Sequence, residues 1–157
     1  MRYKLRLNTV EPVCELGKDL PKALMDGGKI EQVLVNLLNN AVDAMSKDGK
    51  LYVRSYFSEL KAPKNKVGNR KDDIFRLGEE VIIVEVEDTG VGIDEDMINK
   101  IFDPFFTTKN LTQSTGLGLS VAKSIIEMHR GLINVESKKG KGAKFTILFK
   151  IPGERRG

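Results

Sequence analysis

The stretch Val81-Ile82-Ile83-Val84-Glu85-Val86-Glu87-Asp88-Thr89-Gly90-Val91-Gly92-Ile93 decides how the chain reads. Its first half is a short run of β-branched apolar residues, which suits a buried strand. Its second half delivers one carboxylate, Asp88, onto a glycine turn, Gly90-x-Gly92. Glycine reaches φ > 0 and carries no Cβ that would hold another group away. A strand that ends in an acid and such a turn therefore puts a lone carboxylate where a flat ligand can come close.

Strand and helix signals surround this centre. Residues 51–57, rich in Tyr, Val and Phe, predict the strand that pairs with 81–86. Between them, residues 59–79 are charged and broken by Pro63 and Gly68. That is a long connection for a compact domain and reads as an inserted loop. Upstream, Asp26-Gly27-Gly28 opens the clearest helix. Ile30, Val33, Leu34, Leu37, Leu38, Ala41 and Met45 form one apolar stripe, and Asn36, Asn40 and Asp43 form a row beside it. Gly49 is expected to end this helix. Residues 2–7 alternate as a strand would, although the first ten residues define their element least well. Residues 10–25, interrupted by Pro12, Gly17 and Pro21, predict short strands and turns.

Downstream, Asp94 is a suitable N-cap for a short helix to about residue 101, stopped by Pro104. Phe102, Phe105 and Phe106 then lead to Thr107-Thr108-Lys109. Residues 110–115 are polar and short-chained and read as a mobile loop. Gly116-Leu117-Gly118-Leu119 opens a second helix, 120–129, closed by Gly131. Strands 132–136 and 144–150 form a last hairpin around 138–142. The expected fold is one α/β (α+β) domain over residues 1–157, a two-layer sandwich. A mixed, mostly antiparallel sheet carries helices on one face.

Composition removes several function classes. The chain has 157 residues, 40% apolar and 31% charged, with net charge +4. No apolar run approaches the roughly 18 residues of a membrane span, so no membrane insertion is expected. One cysteine, Cys14, excludes an internal disulfide and fits a reducing compartment. The basic excess between Lys61 and Arg76 has no interleaved aromatic residue and reads as a solvated loop, not a nucleic-acid surface. A single histidine, His129, excludes a multi-histidine metal site. It ends a helix, where its charge suits the dipole. Each Gly-Lys pair is followed by Asp, Ile, Leu or Gly, so no P-loop is present, and neither G-x-G has the third glycine of a dinucleotide fingerprint.

The remaining groups suit a nucleotide. The Asn40 carboxamide oxygen is a hard neutral ligand for Mg²⁺, which takes its other ligands from phosphate and water. The Gly116-x-Gly118 segment offers backbone N–H groups and a helix dipole to phosphate. Lys109 supplies a point charge for the outer phosphates. An ionised Asp88 accepts from an exocyclic amine, which adenine presents and guanine replaces with a carbonyl oxygen. Taken singly, each group has a plain alternative as a turn or a solvated helix residue; their order along the chain favours the site.

At this point a family resemblance is visible. Gln32-Val33-Leu34-Val35-Asn36-Leu37-Leu38-Asn39-Asn40-Ala41 resembles the asparagine box of sensor histidine kinases, and Asp43 follows in it. Asp88-Thr89-Gly90-Val91-Gly92-Ile93 resembles their first glycine box. Ile101-Phe102-Asp103-Pro104-Phe105-Phe106-Thr107-Thr108-Lys109 resembles the phenylalanine box, and Thr115-Gly116-Leu117-Gly118-Leu119-Ser120 the second glycine box. The wording is similar to the nitrogen-regulator type. The resemblance covers about residues 15–150. It implies the Bergerat ATP-binding fold of the GHKL superfamily, with 110–115 as the ATP lid. It implies that Asn40 ligates Mg²⁺, Asp88 binds the adenine amine, Lys109 touches phosphate, and Thr146 supports adenine through water. Asn36, Asp43, Gly90, Gly92, Ile93, Phe102, Thr115, Gly116, Leu117, Gly118 and Leu119 complete the ATP site that it implies.

The departures narrow this reading. Ser114 stands where the second glycine box usually begins with Gly, and the 59–79 connection is longer than the family's. The family's phosphoacceptor histidine lies on a separate helical hairpin, and His129 is not in its context. The resemblance thus implies the catalytic part of a kinase that phosphorylates a histidine-bearing dimerisation domain, upstream of a response regulator. The setting is cytoplasmic, whether or not the parent protein is membrane-anchored. The alternatives are a gyrase- or MutL-like ATPase and a non-catalytic nucleotide-binding module. Such ATPases carry a glutamate one helical turn before the metal asparagine; here that place holds Asn36, with Glu31 five residues further back.

Overall fold

The structure, a computed structural model, describes residues 10–45, 48–60, 75, 78–106 and 118–151. The expected strand at 2–7 lies outside these. β1 (Val10–Leu16), β2 (Gly49–Glu59), β3 (Glu80–Asp88), β4 (Leu132–Ser137) and β5 (Ala143–Lys150) form one sheet in the order β1-β2-β3-β5-β4. β3 is central, as a run apolar on both faces requires. It pairs antiparallel with β2 and β5, and β5 with β4.

β1 pairs parallel with β2. Of the short strands and turns expected over residues 10–25, one strand forms, followed by bends and irregular backbone, and its parallel pairing was not anticipated. Helix α1 (Gly27–Ala44) makes the crossover that a parallel pair needs. Pro12 is accommodated because β1 is an edge strand.

Helices α1 and α3 (Gly118–Met128) pack side by side on one face, with a four-residue helix α2 (Glu95–Ile98) near the turn end. The apolar stripe of α1 faces the sheet: Val33, Leu37 and Val42 are fully buried. Burial of each such side chain contributes about 1.5–3 kcal/mol. Ala122, Ile125 and Ile126 of α3 and Val86, Phe145 and Ile147 of the sheet complete this core.

The helix ends differ from expectation. Asp26 caps α1, its Oδ1 accepting from Lys29 N at 3.2 Å. The helix stops at Ala44, and Gly49 begins β2 instead of ending α1. Asp94 precedes α2 without a side-chain cap bond and lies 3.7 Å from Lys139 Nζ. At the end of α3 the left-handed residue is Arg130 (φ 57), while Gly131 N donates to Ile126 O at 2.9 Å.

Strand alternation sets the second face. Ile82, Val86 and Asp88 of β3 point toward the helices, whereas Val81, Ile83, Glu85 and Glu87 point away. Phe75, from the long connection, is buried there against Leu60, Val81, Ile83, Leu132 and Leu148, under Lys150 Nζ at 5.0 Å from its ring. That connection therefore supplies part of the cover of the outer face.

The rest of this face is a polar network. Arg54 Nη1 reaches Glu87 at 2.8 Å and Glu85 at 3.3 Å, and the Tyr56 hydroxyl donates to Glu85 at 2.7 Å. Burial, then the bond and charge of Glu85, push the Tyr56 hydroxyl up to about 12. Glu85 is 9% exposed, so it depends on these partners. Arg54→Met is expected to destabilise the fold by about 1–3 kcal/mol, because it leaves a buried acceptor short of a donor. The measurement is the urea midpoint at unchanged m-value. A midpoint equal to wild type would show that the network contributes nothing.

Candidate nucleotide site

The site is built where α1 ends and β3 ends. Asp88 is the last residue of β3 and only 5% exposed. Its Oδ1 accepts from Gly90 N at 2.8 Å, and the Ala143 N–H also donates to the carboxylate. Burial raises the Asp88 carboxyl above the ordinary range; the two N–H donors oppose this, and the neighbouring charge of Glu87 adds to it.

Both turn glycines are required. A Cβ on Gly90 would lie 2.7 Å from Ala44 C and 2.9 Å from Asp88 Oδ1. The turn meets the last residue of α1, and Val91 N donates to Ala44 O at 3.0 Å. Gly92 adopts φ +74, and a Cβ there would collide with the carbonyl of Lys138. On that side the turn rests on the β4–β5 hairpin. Gly140 N donates to Val91 O at 2.6 Å, Ile93 N to Ser137 Oγ at 2.7 Å, and Ser137 Oγ to Gly142 O at 2.6 Å. Helix, turn and hairpin thus hold the carboxylate from two sides.

The asparagine row spans from this turn to the start of α3. Asn36 is half-buried, and its Nδ2 donates to Gly118 O at 3.1 Å, joining α1 to the first residue of α3. Ala44, two turns later, is bonded to the Asp88 turn. Asn40 lies between them, half-buried, about 6 Å along the axis from each. Asp43 is exposed on the last turn of α1.

Ile93, Phe102 and Leu119 pack partly buried against the core. Phe102 meets Phe145 edge-on at 6.3 Å between ring centres, with Lys123 Nζ 5.5 Å from its centroid. Phe105, three positions further on, is 71% exposed at φ 67. Lys109, Thr115, Gly116, Leu117 and the expected lid at 110–115 lie outside the described residues.

Thr146 is not brought to this site. It pairs with Glu85 and Asn134, so it projects from the face opposite Asp88. The residue across from Asp88 is Ala143, the next step after the Glu87–Lys144 pair. Sequence reading also missed Ser137, which fastens the glycine turn. The Gly140-Lys141-Gly142 turn beside Ser137 and Ala143 was a signal that this hairpin packs closely on something.

Comparison with known proteins agrees with this fold. The family model described as histidine kinase-, DNA gyrase B-, and HSP90-like ATPase matches residues 25–153. The chain is 41% identical over 141 residues to the sensor kinase CckA of Brucella abortus, covering 89% of this chain and 14% of that protein. It is 36% identical over 142 residues to the signal transduction histidine-protein kinase AtoS of Escherichia coli, covering 90% of this chain and 20% of that protein. The chain spans a fifth or less of the length of these two relatives. Among solved structures, the nucleotide-free catalytic domain of the histidine kinase ThkA matches with TM-score 0.70 at 31% identity, covering 95% of this chain and 84% of that one. The chain belongs to the histidine kinase-, DNA gyrase B- and HSP90-like ATPase family, with the Bergerat fold of the GHKL superfamily and with sensor histidine kinases among its relatives.

Proposed function

We propose that this chain is a single catalytic domain that binds Mg-ATP beside α1 and donates the γ-phosphoryl group to a histidine on a separate dimerisation domain of a two-component sensor kinase. The observation that carries this reading is the double attachment of α1. Asn36 is bonded to the start of α3, and Ala44 is bonded to the Asp88 turn. Parts of three of the sequence boxes are thereby joined along α1. Asp88 faces the adenine amine, and the segment leading into Gly118 receives the phosphates together with Lys109.

The donor set fits Mg²⁺. Among the described residues there is no group of three or more His, Cys, Asp or Glu that could hold a metal ion. A single neutral amide, Asn40, suits an ion whose other ligands are phosphate oxygens and water. When bound, the ion supplies charge neutralisation on the outer phosphates. In the transfer, an acceptor imidazole nitrogen bonds to the γ-phosphorus. The bond to the bridging oxygen breaks, and ADP leaves with that electron pair. The protein's part is positioning.

The place where related ATPases hold a water-activating glutamate is Asn36, whose amide is committed to Gly118 O. No carboxylate there activates water, which favours transfer over hydrolysis. Downstream, a response regulator takes the phosphoryl group. The setting is cytoplasmic; among the described residues no helix is long and apolar enough to cross a membrane.

The test mixes this chain with a separately made histidine hairpin of the parent kinase and γ-labelled ATP. The label is expected on the hairpin, with none on this chain and slow release of inorganic phosphate. Label recovered only as inorganic phosphate would support an ATPase instead. Stable phosphate on His129 would contradict the two-domain reading.

A further inference from the structure

His129 lies at the opposite end of α3 from Gly118, and both of its ring nitrogens are engaged. Asp26 N donates to Nε2 at 3.0 Å, and Nδ1 lies 2.7 Å from Ile125 O. A carbonyl only accepts, so Nδ1 carries the hydrogen and Nε2 the lone pair. The ring is therefore neutral and in one tautomer. A cation here would suit the dipole of α3, as the helix-end position suggested. It would also aim a second N–H at the Asp26 N–H. The hydrogen bonds decide for the neutral form.

The bond joins two particular places. Asp26 is the N-cap of α1, and His129 follows the last turn of α3. At the other end of the same helix pair, Asn36 is bonded to Gly118 O. Helix α3 is thus pinned to α1 at both ends, over about 16 Å of rigid helix. One pin alone would leave the other end of α3 held only by the packing of Ala122, Ile125 and Ile126, and would fix less firmly its entry at Gly118, where the proposed phosphate-binding segment joins it. With both pins, the direction of that entry is set relative to Asn40.

We infer that His129 is a positioning residue for nucleotide binding. Its neutral imidazole locks α3 against the N-cap of α1 and so aligns the phosphate end of α3 with Asn40. This rests on the nucleotide reading of Asp88, Asn40 and the start of α3. The lock is also proton-sensitive, because a proton on Nε2 replaces the acceptor with a donor. The charged groups on the segments that meet at the ring are Lys22 and Asp26 before α1, Lys29 in its first turn, and Lys123, Glu127 and Arg130 on and after α3. Asp26 Oδ1 is taken by Lys29 N, and Lys123 pairs with Glu127 at 3.9 Å. β4, which packs on α3, begins with apolar Leu132 and Ile133.

The experiment compares wild type, His129→Ala and His129→Gln. Glutamine can accept from Asp26 N and donate to Ile125 O, but it does not titrate. Mg-ATP affinity is measured between about pH 8 and about pH 5, where histidine ordinarily changes charge. His129→Ala is expected to bind about two- to tenfold more weakly at the upper end, the worth of one neutral hydrogen bond. His129→Gln is expected to recover that affinity. The wild-type-to-Gln affinity ratio should fall as pH falls, because titration of the nucleotide and of Asp88 is common to both.

A second readout needs no nucleotide. The chain has a single histidine, so a long-range nitrogen–proton correlation spectrum reports this ring alone. The Nδ1–H tautomer is expected at the upper pH. The Nε2–H tautomer, or an imidazolium there, would overturn the proposal. So would folded His129→Ala with wild-type affinity, or a pH profile shared by wild type and His129→Gln. Wild type that binds no ATP would overturn the nucleotide reading, and this role with it, even with the Nδ1–H signal in place. Loss of the signal with ATP binding intact would overturn the role of His129 alone.

Discussion

Asp88→Asn is expected to weaken ATP binding by between about tenfold and about a hundredfold, the value of one hydrogen bond to a charged acceptor in a buried setting. The loss is directional as well as electrostatic. Asparagine keeps one acceptor oxygen, and Gly90 N already claims an oxygen of Asp88 at 2.8 Å. The amide N–H₂ group would then point at the adenine amine, donor against donor. Calorimetry with the Asn variant measures the effect, and near-native affinity would reject the adenine assignment.

The same substitution separates binding from stability. Burial raises the Asp88 carboxyl, so the folded state binds that proton more tightly than the unfolded chain does. Stability from this group is therefore greatest below the unfolded value of 3.8 and declines as pH rises through the interval up to the raised folded value. Above that interval the ionised group is a constant cost. Asp88→Asn lacks this cost, so at neutral pH the nucleotide-free variant should melt no lower than wild type. ATP affinity runs the other way in wild type. It needs the ionised acceptor and falls as pH drops through the raised value. A variant that lost both ATP binding and thermal stability would point to a structural role for Asp88 instead.

The parts of the fold legible in sequence are those whose side chains report their own burial. Val81 to Val86 is apolar on both faces, which marks a central strand. The stripe from Ile30 to Ala41 matches the buried face of α1. β1 was not legible as one strand. Most of its residues are exposed, it includes Pro12, and its stability comes from pairing with β2, across α1 in sequence. The end of α1 was misplaced for a related reason. Gly49 looked like a stop, but the helix ends where Val91 N captures Ala44 O, a contact that no local pattern encodes.

The candidate site divides along the same line. Asp88, Gly90 and Gly92 form a local device, and their spacing announces it. Asn36 and Asn40 announce a common helix face, but not that Asn36 would bind Gly118 O across 82 positions of sequence. Ala143 acts through its backbone N–H, and a backbone donor leaves no mark on residue type. Thr146 illustrates the sensitivity of strands to parity. A side-chain period of two means that one odd step along β5 separates the Asp88 face from the Glu85 face. His129 was legible as a structural helix-end residue, but its partner was not, because Asp26 N is 103 positions away.

Asn40→Ala is expected to remove the Mg²⁺ dependence of ATP binding and to slow transfer at saturating ATP by on the order of a hundredfold or more, as loss of a metal's contribution to phosphoryl charge stabilisation implies. The comparison that makes this specific is Asn36→Ala, one helical turn away on the same face. Asn36 is bonded to Gly118 O. Its removal should loosen the start of α3 and weaken ATP in the presence or absence of metal by a similar factor. If Asn40 is the metal ligand, its removal should leave metal-free ATP affinity near wild type and abolish only the increment that Mg²⁺ adds. Asn40→Asp gives a third pattern. A carboxylate draws the cation more strongly but repels the phosphates, so metal dependence should persist while metal-free ATP affinity falls. Titrations of ATP with and without Mg²⁺ resolve the three variants. Equal metal dependence in wild type and Asn40→Ala would reject the ligand role, whatever the change in rate. A parallel loss in Asn36→Ala and Asn40→Ala would show that both asparagines only brace α1 against α3.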